Sequence, residues 1–276
     1  MELLQALALG IVQGLTEFLP VSSSGHLILV REALGWKLLA DPHLNKSFDV
    51  ALHGGTFIAL ACYFWRDIGR LLRAWAASFR AGLGDEPERR LAWLVVIGAV
   101  PGAVAGLLGE DVIENRLGAP RLVAAQLIAF ALLLWLAEAR GRKERELAQA
   151  GWWDGVLIGL AQALALAPGV SRSGVTITAG LARGMTRETA ARFSFLLSLP
   201  IVAGSAAYSL AGLVKDPGLL PPGSPALFGA GMVAAAVSGF LCIHYFLRYL
   251  QTRTLSPFVV YRVGLGLALL ALFTAR

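Results

Sequence analysis

The sequence of 276 residues predicts an all-α integral membrane protein, with six transmembrane helices and two re-entrant helix–loop–helix hairpins in an inverted repeat. The first observation is composition: 57% of the residues are apolar, 15% are charged and the mean hydropathy is +0.66. Soluble domains average about 45–50% apolar and about 25% charged residues. The second observation is a set of long apolar segments, and the third is a motif that occurs twice. We therefore expect a single membrane domain, 1–276.

Six apolar segments are long enough to cross a bilayer, because a transmembrane helix needs about 20 mostly apolar residues. The first segment contains Asp49 and His53, and the last contains Arg262. Polar groups at membrane depth are costly and need a reason. The predicted spans are 47–65, 91–109, 120–138, 193–214, 226–247 and 257–275.

Two further apolar segments, 3–30 and 155–182, are each interrupted by a polar loop. The first loop begins at Pro20 and the second at Pro168. Neither arm of either segment is long enough to cross a hydrocarbon core of about 30 Å comfortably. Irregular backbone at membrane depth is tolerated only inside protein or beside water. Each segment is therefore predicted to form a re-entrant hairpin.

The distribution of basic residues predicts the orientation. Most Lys and Arg residues fall in the loops 66–90, 139–152, 183–192 and 248–256. Cytoplasmic loops carry an excess of these residues, so the four loops are placed inside. Both termini then face outside, the first hairpin enters from the outside and the second enters from the cytoplasm.

The two broken segments share a motif at a constant offset of 149 residues. Residues 10–26 read GIVQGLTEFLPVSSSGH, and residues 159–175 read GLAQALALAPGVSRSGV. Three predicted spans follow each copy, so the second copy is inverted in the membrane, as in many transporters. We predict the first repeat at 1–138 and the second at 152–276. The alternative is chance similarity between two apolar segments rich in Gly and Ser.

The second copy predicts an anion site. Arg172 lies in an apolar segment and needs an anionic partner. The residues after it read as a helix, whose free N-terminal N–H groups also favour an anion. The hydroxyls of Ser171, Ser173 and Thr176 surround the arginine. The alternative is a structural ion pair between Arg172 and Glu17.

The first copy supplies a carboxylate, hydroxyls and an imidazole. Gln13 and Glu17 are four residues apart and share a helix face. A carboxylate in the bilayer must be neutral, paired or bound to metal. Ser23 and His26 follow the turn, and with Arg172 they predict a nucleophile or acid beside a phosphate clamp. The alternative for any one serine here is an N-cap, and for a lone histidine a satisfied core position.

The remaining polar residues of the spans leave alternatives open. Asp49 and His53 are one helical turn apart, where they could assist a metal or face an aqueous vestibule. Arg262 could extend to the interface or reach the anion. These observations suit an enzyme acting on a phosphate-bearing lipid, and the spans alone suit a transporter equally well. A purely structural scaffold would not explain buried Glu17 and Arg172.

The motifs QGLTEFLPVSSSGH (13–26) and PGVSRSGVT (168–176) resemble the two signatures of the undecaprenyl-diphosphatase family, also called the bacitracin-resistance proteins. The resemblance extends to FDVALHGGT (48–56) and covers essentially the whole chain. It implies hydrolysis of undecaprenyl diphosphate to undecaprenyl phosphate and inorganic phosphate, which recycles the lipid carrier of bacterial cell-wall synthesis. It also implies a bacterial inner-membrane location and an active site that faces outside.

The resemblance further implies the roles of individual residues and a divalent cation, Mg²⁺ or Ca²⁺. The catalytic residues by motif position are Glu17, Ser23, His26 and Arg172, with Glu17 also as a metal ligand. The nucleophile is left open between Ser23, His26 and water. The residues expected to bind the substrate phosphates are Gln13, Ser24, Ser171, Ser173, Thr176 and Arg262.

The expected partners are a polyprenyl diphosphate lipid and membrane lipids. No nucleic-acid partner is expected, because the net charge of +6 comes mostly from arginines in short loops. A homodimer is left open. The rival function is a transporter or flippase of polyprenyl phosphate lipids, which the inverted repeat favours, whereas the Glu–Ser–His cluster favours the enzyme.

Overall fold

The computed structural model describes residues 2–36, 42–82, 86–112, 119–215 and 224–274. Within these residues the chain forms eleven α-helices and one 3₁₀ turn, and no β-sheet. The helices are α1 (Glu2–Phe18), α2 (Ser23–Leu34), α3 (Pro42–Tyr63), α4 (Trp65–Ala81), α5 (Pro87–Val112), α6 (Pro120–Arg140), α7 (Trp152–Leu164), α8 (Arg172–Ala182), α9 (Arg187–Lys215), α10 (Ser224–Thr252) and α11 (Ser256–Thr274).

The apolar helices confirm a multi-pass membrane protein. Four of them are long and apolar enough to span a bilayer, and a bent pair brings the number to five, counted among the described residues. The four helices are α5, α6, α10 and α11, which coincide with four predicted spans. The predicted span 193–214 is helical as part of α9, and its crossing of the membrane remains a prediction.

Helix α4 occupies much of the segment 66–90, which the arginine content predicts to be a cytoplasmic loop. Helix α3 ends at Tyr63, and the chain continues from Trp65 as a second helix. The helix is strongly amphipathic, and its Trp75 packs against Phe79 at a ring distance of 4.8 Å. Counting arginines without regard to their spacing therefore missed a helix with one apolar face, and the side of the membrane on which this segment lies remains a prediction.

The two segments predicted as hairpins each form two helices joined by a loop. Helix α1 ends at Phe18 and α2 begins at Ser23, while α7 ends at Leu164 and α8 begins at Arg172. At 1.5 Å per residue, α1 is about 25 Å long and the other three arms are shorter still. The two helices of each hairpin pack against each other. Each hairpin thus has a non-helical loop between short apolar helices.

The described chain divides into two compact units. Unit one comprises 1–18, 23–63 and 199–245. Its core contains Phe48 and Phe228, whose rings meet edge to face at 5.4 Å, together with buried residues of α1 and α2. Unit two comprises the remaining segments, including Leu19–Ser22, α4 to α8 and α11. The loop of the first hairpin therefore belongs to unit two.

Glycines let the first arm of each hairpin approach another helix closely. In unit one, a Cβ atom at Gly10 of α1 would collide with the carbonyl oxygen of Gly231 on α10. In unit two, a Cβ atom at Gly159 of α7 would lie 2.5 Å from the carbonyl oxygen of Gly98 on α5. Small residues allow such backbone approach between membrane helices. Gly10 and Gly159 are equivalent positions of the two motif copies, which is consistent with the predicted repeat.

A buried ion cluster holds the start of α7 in unit two. The carboxylate of Asp154 is fully buried and accepts hydrogen bonds from Arg145 at 2.6 Å and Arg183 at 2.7 Å. It also accepts from the backbone N–H of Gly151. Burial by itself raises the pKa of Asp154, but the bonds from Arg145, Gly151 and Arg183 outweigh it, so the pKa lies below its ordinary value. The cluster fixes the end of α7 that lies away from the polar loop.

Candidate active site

Glu17 in the last turn of α1 is the centre of a hydrogen-bonded cluster in unit one. Its Oε2 atom accepts hydrogen bonds from Gln13 Nε2 at 3.0 Å and from Ser23 Oγ at 2.6 Å. Glu17 and Gln13 are buried. Because an ionised carboxylate only accepts hydrogen bonds, both neighbours must act as donors. The short Ser23–Glu17 contact is the arrangement of a hydroxyl beside a base that can take its proton.

Chain geometry explains why these three side chains meet. Gln13 is one turn before Glu17 on α1, so both lie on one face. Ser23 is the first residue of α2, directly after the four-residue loop that turns the chain back. Ser22 in this loop has a φ of +74°, a conformation that L-residues rarely adopt. The turn at Ser22 thus returns the serine hydroxyl to the carboxylate.

His53 joins the cluster from α3. Its Nε2 atom lies 3.7 Å from Glu17 Oε2, and its Nδ1 atom lies 2.8 Å from the carbonyl oxygen of Asp49. Because a carbonyl oxygen only accepts, Nδ1 carries a proton, and Nε2 faces the carboxylate. The spacing of Asp49 and His53 identified a polar helix face but could not predict that it meets Glu17.

Asp49 has a different partner. Arg31 of α2 donates to its carboxylate through both terminal nitrogens, one of them at 2.9 Å. This ion pair is partly exposed and connects α2 to α3. The structure therefore gives Asp49 a role in positioning the helix that carries His53.

The other predicted residues of the first motif lie in the first turn of α2. His26 is buried, and Ser24 is exposed. His26 is three residues after Ser23, so both lie on one side of the helix.

Arg172 lies at the start of α8 in unit two. Ser171 is the N-cap residue, and its Oγ atom accepts a hydrogen bond from the N–H of Gly174 at 3.2 Å. Ser171 has a φ of +71°, nearly the value of Ser22 at the equivalent position of the first motif. The two loops therefore share a turn in a sparsely populated backbone region, which is typical of functional sites. Arg172 and the N-terminal N–H groups of α8 both belong to the helical turn that follows Ser171.

The hydroxyls after Arg172 make internal hydrogen bonds. Ser173 donates to the carbonyl oxygen of Leu19 at 2.8 Å, which joins the two motif loops within unit two. Thr176 is fully buried, donates to the carbonyl oxygen of Arg172 at 2.7 Å and lies 2.6 Å from Ser194 Oγ. These contacts stabilise the loop and the first turn of α8. A direct role of the two hydroxyls in phosphate binding remains a prediction.

Arg262 of α11 is fully buried in unit two. Its Nη1 atom donates to the carbonyl oxygen of Pro20 at 3.3 Å, and its Nη2 atom donates to those of Gly169 at 3.0 Å and Val170 at 2.9 Å. The sequence predicted a phosphate ligand at this position. The observed partners are main-chain oxygens of the two loops.

The oxygen atoms of Glu17 and Gln13 are candidate ligands for a divalent cation. Among the described residues, no group of three or more His, Cys, Asp or Glu side chains is placed to hold a metal ion. Gln13 Oε1 is buried and has no hydrogen-bond partner, because the amide uses its nitrogen for Glu17. A carboxylate and an amide oxygen suit Mg²⁺ or Ca²⁺, and Mg²⁺ commonly takes few protein ligands when substrate phosphates supply others.

An apolar crevice of about 750 Å³ opens in unit two beside the second motif. Residues of helices α5 and α7 and two residues that precede Pro168 line it. Its lining includes Pro101, Val104, Leu160, Leu164, Leu166 and Ala167. An apolar crevice whose lining includes residues of the polar loop suits an amphiphilic ligand.

The fold and these clusters define a multi-pass membrane protein whose broken helices carry an acid–hydroxyl pair and an arginine at a helix N-terminus, groups that handle anionic substrates. A family model described as "Bacitracin resistance protein BacA" matches residues 6–268, and the chain belongs to this family.

Full-length relatives agree with this assignment. The chain is 49% identical to the undecaprenyl-diphosphatase of Geobacter sulfurreducens, with 100% of both chains covered. It is 47% identical to the undecaprenyl-diphosphatase of Thioalkalivibrio sulfidiphilus, over 99% of this chain and 100% of the relative. It is 48% identical to that of Geotalea daltonii, over 96% of both chains.

Proposed function

We propose that this protein hydrolyses undecaprenyl diphosphate to undecaprenyl phosphate and inorganic phosphate. It thereby recycles the lipid carrier of bacterial cell-wall synthesis and confers resistance to bacitracin. The family and the names of the relatives support this function. The structural observation that carries it is the 2.6 Å hydrogen bond from Ser23 Oγ to Glu17 Oε2.

In the proposed reaction Ser23 is the nucleophile. Its Oγ atom attacks the terminal phosphorus, the bond from that phosphorus to the bridging oxygen breaks, and undecaprenyl phosphate leaves. Glu17 accepts the proton that Ser23 already donates to it. Water then hydrolyses the phosphoserine and releases inorganic phosphate. His53 and His26 provide imidazoles on the two helices next to α1, where they can hold protons during these steps.

Arg172 binds the diphosphate in this proposal. A guanidinium can grip phosphate through two parallel hydrogen bonds. The first N–H groups of α8 lack intrahelical partners and favour an anion beside them. Phosphoryl transfer depends mostly on positioning and charge stabilisation, which an arginine at a helix N-terminus supplies.

A divalent cation, Mg²⁺ or Ca²⁺, is part of the proposal. Glu17 and the amide oxygen of Gln13 would hold it, with phosphate oxygens of the substrate completing its ligands. When bound, it would neutralise charge on the phosphates. The unpartnered Gln13 Oε1 atom supports this placement.

We propose the membrane arrangement from the same features. Six spans and two re-entrant hairpins would place both polar loops at membrane depth, in the inner membrane of a bacterial cell with the site open to the outside. The prenyl tail of the substrate would lie in the crevice between α5 and α7, because Leu166 and Ala167 of that crevice lie in the loop that leads to Arg172.

The test is release of inorganic phosphate from undecaprenyl diphosphate by the purified protein in detergent. We expect metal-dependent release by the wild type and losses of about 100-fold or more in Ser23→Ala, Glu17→Gln and Arg172→Ala, because each removes a group that acts in the transition state. Arg253→Ala, which changes an exposed arginine, is the matched control and should retain activity.

The rival function is distinguished by the same preparation. A transporter of polyprenyl phosphates needs an anion clamp but no nucleophile. Folded wild-type protein that binds the lipid and releases no phosphate would therefore overturn the phosphatase and assign Arg172 to a carrier.

A further inference from the structure

We infer that Arg262 is a positioning residue for the reaction, which orients the backbone N–H groups at the start of α8 by holding the carbonyl groups of both motif loops. This inference rests on the proposed phosphatase function for its kinetic consequence. The anchoring itself stands on contacts within unit two.

The guanidinium of Arg262 joins two loops that are far apart in the sequence. It donates to Pro20 O at 3.3 Å in the first loop and to Gly169 O at 3.0 Å and Val170 O at 2.9 Å in the second. Ser173 adds a parallel link between the loops through Leu19 O at 2.8 Å. Four hydrogen bonds therefore tie the two turns to each other and to α11.

Burial of the Arg262 side chain is energetically unfavourable, so its presence here needs a physical reason. Arg262 has no solvent exposure, and a charged side chain within a membrane helix costs at least about 2.5–3.5 kcal/mol. A leucine would fill a helix–helix interface without that cost. The arginine is suited to a different task, because its planar fork can bond several carbonyl groups at fixed angles.

Peptide geometry connects the carbonyl groups to the anion site. In a trans peptide the C=O and the following N–H point in opposite directions. Val170 O points to Arg262, so the N–H of Ser171 points away from it. Ser171 then turns with a φ of +71° into the first turn of α8. Holding Val170 O thus sets the direction of the N–H groups beside Arg172.

Two glycines make room for this arrangement. A Cβ atom at Gly174 of α8 would lie 2.6 Å from Nη1 of Arg262. A Cβ atom at Gly266, one turn after Arg262, would lie 3.0 Å from the carbonyl oxygen of Ala124 on α6. Gly266 lets α11 approach α6, and Gly174 lets the guanidinium reach past α8. Gly174→Ala should therefore disturb the same contacts without changing the arginine.

Arg262 and Arg172 therefore have different roles. Motif position predicted both as phosphate ligands, but the guanidinium of Arg262 is engaged with carbonyl groups. Loss of a phosphate ligand weakens the binding of substrate and of free phosphate as well as that of the transition state, whereas misdirected N–H groups mainly reduce transition-state stabilisation.

The kinetic test compares Arg262→Lys, Arg262→Gln and Gly174→Ala with Arg172→Lys. We expect Arg262→Gln to lower kcat about 10- to 100-fold, since misplacement near 1 Å can cost that much, with KM and the inhibition constant for inorganic phosphate changed less than three-fold. Arg262→Lys should recover part of kcat, and Gly174→Ala should resemble Arg262→Gln. Arg172→Lys should instead raise the inhibition constant more than ten-fold.

The structural test is amide hydrogen exchange of the loops 19–22 and 168–173 in the same proteins. We expect faster exchange in both loops of Arg262→Gln and Gly174→Ala, and no change in α6. A rise of KM and of the phosphate inhibition constant equal to that in Arg172→Lys would make Arg262 a ligand. Unchanged kcat or unchanged exchange in folded Arg262→Gln would also overturn the inference. Faster exchange in the two loops, with a wild type that releases no phosphate, would reject the phosphatase and retain the anchor.

Discussion

At the scale of the residue, the polarity of each group in the Glu17 cluster determines its partners. The carboxylate can only accept, so the Gln13 amide must present its nitrogen to Glu17, which leaves Oε1 without a partner in a buried position. Ser23 donates to the same carboxylate oxygen. The cluster thus offers two kinds of oxygen ligand for a cation, the carboxylate of Glu17 and the unpartnered Oε1 atom of Gln13.

The substitution Gln13→Glu tests whether a cation binds at Glu17 and Gln13. It would place two carboxylates one helical turn apart, and these repel unless a cation lies between them. We expect a lower half-saturating Mg²⁺ concentration than in the wild type and less phosphate release after chelation. The measurement is a metal titration of phosphate release.

Gln13→Leu is the matched control, because it removes both polar atoms and adds no charge. It should raise the half-saturating metal concentration. The same metal dependence in Gln13→Glu, Gln13→Leu and wild type would contradict a metal site at this position.

At the scale of the element, the short helix α7 is anchored at both ends. The loop after its C-terminus is held by Arg262, and its N-terminus is held by Asp154 with Arg145 and Arg183. Close backbone approach at Gly159 fixes its middle against α5. A helix of this length would otherwise be marginal, since helical stability in proteins comes mostly from packing.

The substitution Asp154→Asn should destabilise unit two. It leaves two partly exposed arginines without their carboxylate, which should cost about 1–3 kcal/mol. A carboxyl group whose pKa is lowered by folding stabilises the protein above its unfolded pKa, near 3.8, and this contribution is lost as the pH falls through the folded pKa.

Thermal unfolding in detergent measures this effect. We expect a lower Tm than in wild type at pH 7 and a difference that shrinks as the pH falls below about 4. Glu86→Gln, which changes an exposed pair with Arg89, is the control and should leave Tm unchanged. A difference in Tm that is independent of pH would show that the charge of Asp154 does not contribute.

At the scale of the whole molecule, the proposed topology places the N-terminus outside and the loop 139–152 inside. This orientation follows from the basic residues of the loops. It predicts which side of the membrane a single introduced cysteine faces. The two native cysteines, Cys62 and Cys242, are reduced thiols and must first be replaced.

In that background, Glu2→Cys should react with a membrane-impermeant maleimide in intact spheroplasts, whereas Arg142→Cys should react only after permeabilisation. Both positions are exposed, so access depends on the side of the membrane. Labelling of Arg142→Cys in intact spheroplasts would reverse the topology and, with it, the outward-facing site.

Patterns that are local in the chain could be predicted from the sequence. Hydropathy located the helices that match α5, α6, α10 and α11, and the two interrupted segments became the broken pairs α1–α2 and α7–α8. Helix spacing predicted that Gln13 and Glu17 share a face. The amphipathic helix α4 was missed, because its arginines suggested a loop when counted without their spacing.

The sequence by itself determined that the chain lies in a membrane, where its helices break and which polar groups occupy those breaks, because composition and short periodicities act over a few turns of chain. Only the tertiary structure decided that His53 faces Glu17 and that Arg262 binds Pro20, Gly169 and Val170. The reason is that these partners are separated by 36 to 242 residues. Such contacts depend on how closely helices that contain glycine can pack, and short-range sequence patterns do not predict this packing.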